Sequence, residues 1–233
     1  MNHTITLSNV GKTFTHQDAT CTLFNDVFMV FEQSKTYALV GPSGSGKTTL
    51  LSMIAGLEKV SSGSIQYNET VLHTLSVQEL HSFCSTNYSI MLQRPALLNE
   101  CTLLENVMLK SFINHTPTAT DKQRAYELLS YVGLLECASR SPKNLSGGEA
   151  QRVAIAQALF SRPHFIIADE PTAHVDQKNK DCIINLLINA HITENIGIIL
   201  STHDIHVANK MNIIYTLQGT SYGNSIEKKI NNS

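Results

Sequence analysis

The chain has 233 residues, 42% of them hydrophobic, enough to pack one large domain or two small ones. A formal net charge of −2 and the absence of tryptophan leave neither a basic stripe nor an aromatic stacking platform, which argues against nucleic-acid binding. No apolar run approaches the roughly 18 residues of a membrane-crossing helix, and Met1-Asn2-His3-Thr4-Ile5-Thr6 has no signal-peptide pattern. Cys21, Cys84, Cys101, Cys137 and Cys182 form no C-x-x-C pair and have no histidine at metal-ligand spacing. The reading is a soluble cytoplasmic chain with free thiols.

In chain order, Ile5, Leu7 and Val10 alternate with polar residues, and Leu23, Val27, Phe28, Val30 and Phe31 lie between polar positions, predicting antiparallel edge strands. Tyr37-Ala38-Leu39-Val40 is a short buried strand, followed by a Gly/Ser-rich turn over 41–46. A helix is predicted from Thr48 to Leu57, with Leu50, Leu51, Ile54 and Leu57 on one face. From about 76 to 158 the pattern is mostly helical, carrying Leu103, Val107 and Met108, then Ala125, Leu128, Leu129 and Val132, around a loop at 114–120. Buried strands return at Phe165–Ala168, Gly197–Leu200 and Ile213–Tyr215, and strands separated by helices imply a parallel sheet. The polar tail after Gly219 reads as loosely ordered.

Gly41-Pro42-Ser43-Gly44-Ser45-Gly46-Lys47-Thr48 fits G-x-x-x-x-G-K-[ST] at every position, between a strand and a helix as that pattern requires. Its glycines let successive N–H groups point inward, and the helix start adds its positive dipole end, so anionic phosphates fit there. Lys47 supplies the point charge for the β- and γ-phosphates, the Thr48 hydroxyl is a ligand for Mg²⁺, and Thr49 belongs with the nucleotide-binding residues. In Phe165-Ile166-Ile167-Ala168-Asp169-Glu170, two carboxylates close a buried strand at the end where open α/β sheets bind ligands. Asp169 is expected to hold Mg²⁺ through a water, and Glu170 to polarise the water that attacks the γ-phosphate.

Between these motifs, Leu145-Ser146-Gly147-Gly148-Glu149-Ala150-Gln151-Arg152 resembles the signature sequence of the ATP-binding cassette (ABC) family. A serine and two glycines opening a helix make a second phosphate-binding surface. The resemblance implies that Ser146, Gly147 and Gly148 contact the γ-phosphate held by the opposite subunit, closing a head-to-tail dimer around two ATP. It also implies that Gln93 touches Mg²⁺ and the attacking water, that His203 contacts the γ-phosphate, and that Asp176 communicates across the dimer interface. Phe14, 27 residues before Gly41, is implied to be the aromatic platform for adenine. The chain departs from the family pattern at Ala173-His174-Val175 before Asp176, at Gln157 where arginine is frequent, and at Glu149 where glutamine is commonest. None of these removes a phosphate ligand.

The fold so implied is α/β, a RecA-like P-loop core over about 1–85 and 159–233 with an N-terminal antiparallel β region, and a helical subdomain over about 86–158. Leu50-Leu51-Ser52-Met53-Ile54-Ala55-Gly56-Leu57 and the short tail after His203 look most like the small cassettes of lipoprotein-release, macrolide or peptide efflux and cell-division transporters. The expected function is ATP hydrolysis driving export or extraction. The chain would pair with itself or a related cassette, bound peripherally to the inner membrane face through separately encoded permease subunits. The alternatives are a soluble ABC ATPase acting on nucleic acid or ribosomes, and a weakly hydrolysing cassette with a regulatory membrane role.

Overall fold

The computed structural model describes residues 2–16, 19–114, 116–173, 175–220 and 223–231. Strands β1 (Thr4–His16) and β2 (Ala19–Glu32) pair antiparallel, Thr4 opposite Glu32 and Phe14 opposite Cys21. Alternation buries one face of the pair: Ile5, Leu7, Val10, Phe24, Val27, Met29 and Phe31 are in the core, while Phe28 and Val30 face outward. There follow β3 (Thr36–Val40), α1 (Lys47–Ile54), β4 (Ser62–Tyr67), β5 (Thr70–Val71), α2 (Val77–Asn87) and β6 (Tyr88–Met91). Next come α3 (Leu103–Val107), α4 (Leu109–Asn114), α5 (Ala119–Tyr131), α6 (Gly147–Phe160), β7 (Phe165–Asp169) and α7 (Gln177–Glu194). The chain closes with β8 (Gly197–Ser201), α8 (Ile205–Asn209), β9 (Ile213–Thr220) and β10 (Gly223–Ile230).

The strands join one sheet in the order β5-β4-β1-β2-β10-β9-β3-β8-β7-β6. The half from β9 to β6 is parallel and carries helices on both faces. The two-residue period decides which side chain meets which layer. Tyr37, Leu39, Phe165, Ile167 and Ile199 pack with Leu50, Leu51, Met53 and Ile54 of α1. Their neighbours Ala38, Ile166, Ala168, Ile198 and Leu200 join the other core with Val153, Ile155, Ala156 and Leu159 of α6 and Ile183, Ile184 and Leu187 of α7. Each large side chain so buried contributes about 1.5–3 kcal/mol, and the result is a rigid floor whose carboxyl strand ends all point the same way.

Two expectations are corrected. The stretch 76–158 is not simply helical: Tyr88–Met91 is a strand, pairing parallel with β7 from Tyr88 opposite Phe165 to Met91 opposite Ala168. Four residues are too few for a period to declare itself, and the strand exists because β7 offers it an edge. In the tail after Gly219, residues Gly223–Ile230 form a strand, as β10 pairs with β9 from Gly223 opposite Thr220 to Ile230 opposite Ile213. Main-chain hydrogen bonding to an available strand edge needs little hydrophobic signal, so composition alone understated it.

Candidate active site

The loop after β3 turns into α1 through Gly46, whose φ of 87° lies in the left-handed region. A side chain here would also collide with β2, since a Cβ would fall 2.5 Å from Phe24 Cζ and 2.9 Å from Leu23 Cδ2. No side chain caps the N-terminus of α1, so its first N–H groups remain available to a ligand. Lys47 folds back over the loop and donates from Nζ to the carbonyls of Gly41 at 2.9 Å and Pro42 at 3.1 Å. Ser45 is buried within the loop, its N–H on the Pro42 carbonyl at 3.2 Å.

Opposite the loop stand the ends of β7 and β8. Thr48 donates from Oγ1 to Asp169 Oδ2 at 2.8 Å, tying the first turn of α1 to the end of β7. Glu170, one residue on, has φ of 46°, rare for a side chain of its size. Its Oε2 lies 2.8 Å from His203 Nδ1. The turn carrying His203 is itself pinned, because Asp204 donates from its N–H to Thr202 Oγ1 at 3.0 Å and accepts Lys180 Nζ of α7 at 3.1 Å. Burial pushes the Asp204 carboxyl up, but Lys180 and the N–H groups of His206 and Val207 outweigh it and hold the group below its ordinary range.

These elements enclose an open cleft of about 460 Å³. Ser43, Gly44, Gly46, Lys47, Thr48 and Thr49 form one wall, and Gln93, Glu170 and His203 the other. Residues separated by more than a hundred positions thus converge at the carboxyl ends of parallel strands, the usual ligand position of such sheets. Oxygen donors from Thr48 and Asp169 lie side by side there, the donor chemistry a hard cation such as Mg²⁺ selects.

The other residues singled out in the sequence lie elsewhere. Phe14 is 43% exposed on β1, does not line the cleft, and carries Lys12 Nζ 4.7 Å from its ring centroid. Ser146 is the N-cap of α6, closed by a reciprocal box in which Glu149 N–H donates to Ser146 Oγ at 3.3 Å and Ser146 N–H donates to Glu149 Oε2 at 2.8 Å. Ser146 and Gly147 are exposed, whereas Gly148 is buried where a Cβ would meet Asn179 Cγ at 2.8 Å. Asp176 caps α7 through Asn179 N–H at 3.1 Å. Of Ala173-His174-Val175, the first and last are partly buried, and His174 lies outside the described residues. Gln157 donates from Nε2 to the Asn106 carbonyl at 3.0 Å, joining α6 to α3.

Sequence reasoning passed over Leu23, the apolar member of the cleft wall, and Ser201, whose hydroxyl joins Asp169 and Glu170. A polar residue closing the apolar run Gly197–Leu200 directly before Thr202-His203 was the available signal for Ser201.

A glycine-rich phosphate loop after the first parallel strand, facing a carboxylate pair at the end of the next strand but one in the sheet, defines a P-loop ATPase. The profile of the ABC transporter family matches residues 24–173. The lipoprotein-releasing system ATP-binding protein LolD 1 of Rhodopirellula baltica is 35% identical over 89% of this chain and 91% of its own length. LolD of Treponema denticola is 35% identical over 91% of this chain and 94% of its own. The dimeric post-hydrolysis structure of the ATP-binding cassette MJ0796, bound to ADP and Pi, superposes with a TM-score of 0.88 at 29% identity, covering 98% of this chain and 99% of that one. The chain therefore belongs to the ABC transporter family, as an ATP-binding and ATP-hydrolysing cassette.

Proposed function

We propose that two copies of this chain, or one copy and a related cassette, close head to tail on two ATP and drive export or extraction through separate membrane subunits. The observation that carries this reading is the location of the signature turn. Ser146 and Gly147 present their helix start to solvent and take no part in the cleft built by the chain's own loop, so a second phosphate surface is free to serve another chain's nucleotide. Relatives named for lipoprotein release favour extraction, and a dimeric neighbour supports the pairing.

Within the cleft, Lys47 and the N–H groups of the loop neutralise the phosphates, and Phe14 is the proposed support for adenine. Thr48, Asp169 and Gln93 are the residues that would hold Mg²⁺, which when bound supplies further positive charge to the β- and γ-phosphates. Glu170, steadied by His203, aligns the attacking water, and His203 is exposed enough to reach the γ-phosphate. Asp176, at the cap of α7, meets the second subunit. Membrane subunits are proposed to dock in a groove of about 260 Å³ between β6 and α4/α6, where Ile90 and Leu92 are 38% and 51% exposed and Ile113 is 74% exposed. That groove opens beside Gln93, so docking and the water-side wall of the cleft share one segment, and attachment there would hold the chain at the inner membrane face. Among the described residues no helix is long and apolar enough to cross a membrane.

The test is Glu170→Gln. With ATP it is expected to elute as a dimer in size-exclusion chromatography while hydrolysis falls about 100-fold or more, the scale of losing a water-positioning group. A monomer that hydrolyses ATP at the wild-type rate would sink the proposal.

A further inference from the structure

A single buried hydroxyl bonds the Asp169 carboxylate and the backbone N–H of Glu170. Ser201 ends β8 with no exposed surface and lies in register opposite Asp169 of β7. Its O–H donates to Asp169 Oδ1 at 2.5 Å, and its oxygen accepts the N–H of Glu170 at 2.8 Å. The other Asp169 oxygen receives Thr48, so the carboxylate is gripped from both sides and its rotation is fixed.

The second bond matters more. Glu170 has φ of 46°, a strained conformation for a non-glycine residue that persists only where the surroundings over-determine it. The N–H at that strained residue has Ser201 as its acceptor, and the Glu170 carboxylate lies 2.8 Å from His203 Nδ1. We infer that Ser201 is a positioning residue for ATP hydrolysis, fixing the Glu170 peptide so that its carboxylate faces the attacking water, and clamping Asp169 at the same time. The inference rests on the proposed role of Glu170.

A serine hydroxyl has one proton and two lone pairs, and here the proton goes to a carboxylate and a lone pair to an amide. Alanine leaves both partners unsatisfied. Threonine keeps both bonds, and valine has threonine's shape without them, so the Thr/Val pair isolates the hydroxyl from packing.

The experiment compares Ser201→Ala, Ser201→Val, Ser201→Thr and Glu170→Gln in the full chain, measuring kcat and KM for ATP, fluorescent-ATP binding in EDTA, and hydrogen exchange at the Glu170 amide. Ser201→Ala and Ser201→Val are expected to lose about 10- to 100-fold in kcat, the penalty of a slightly misplaced group. Their KM and EDTA affinity stay near wild type, and the Glu170 amide exchanges faster. Ser201→Thr restores kcat, with slow exchange. Wild-type kcat in Ser201→Ala or Ser201→Val overturns the inference. So does a loss of ATP affinity or of folding that accounts for the lost activity, because the hydroxyl then serves only the strand end. A wild-type kcat in Glu170→Gln would instead remove the role of Glu170, whereas an inactive Glu170→Gln beside an active Ser201→Ala removes only that of Ser201.

Discussion

Burial and local bonding give individual residues behaviour that their type alone does not. Cys84 is the clearest case among the thiols: α2 presses it against the turn that follows α1, where a Cβ on Gly56 would sit 2.9 Å from its sulfur, and burial pushes the thiol up to about 11. Cys21 and Cys182 are free and exposed. Because the thiolate is the nucleophile, iodoacetamide at pH 8 should modify Cys21 and Cys182 well before Cys84, and Cys84 should catch up only as the pH rises above 10. Mass spectrometry of alkylated peptides over time checks this; equal rates at pH 8 would contradict the packing of α2. Lys47, Thr48, Asp169 and Glu170 were legible in the sequence because each belongs to a contiguous motif. Ser201 was not, since its partners lie 31 and 32 residues away and meet it only across the sheet.

Helix α6 combines a stability device with the proposed recognition surface. Ser146 and Glu149 close the box at its start, and Gly148 lets α7 approach, so the turn is held in place without covering its exposed N–H groups. Replacing Ser146 with Ala should cost about 1 kcal/mol, read as a melting shift of about 2–4 °C for a chain of this size. That difference should depend on pH. The Ser146 hydroxyl and N–H hold the Glu149 carboxyl below its ordinary value. A depressed carboxylate pKa contributes stability above the unfolded value, about 4.3, and the contribution disappears as pH falls through the folded value. The gap between wild type and Ser146→Ala should therefore stay constant from pH 7 to about pH 5 and narrow as pH falls further through the folded value, while in a Glu149→Gln background it should stay flat. Differential scanning calorimetry across that range decides the matter; a gap that widens toward low pH would refute it. The motif itself was legible as a helix start. Its contact with Asn179 was not, because nothing local announces which helix will pack against a glycine.

For the whole molecule, two separate surfaces follow from one sheet: the nucleotide cleft at the carboxyl strand ends and the apolar groove beside β6. If the groove seats membrane subunits, Leu92→Asp with Ile113→Asp should cut recovery of a membrane protein from detergent extracts by about 10-fold or more, as loss of apolar anchors does at interfaces. ATP binding by the isolated chain should be unchanged, since neither side chain lines the cleft. Undiminished co-purification would place docking elsewhere. By itself the sequence determined the ATPase class, the phosphate loop, the carboxylate pair and the parallel core, because contiguous glycines, charges and apolar runs encode local backbone geometry and burial. Only the tertiary structure decided that Tyr88–Met91 and Gly223–Ile230 are strands, that Phe14 stands apart from the phosphate cleft, and that Ser201 joins the Asp169 carboxylate to the Glu170 main-chain amide. Those features rest on strand edges, register and packing between distant segments, which form only when the whole sheet assembles.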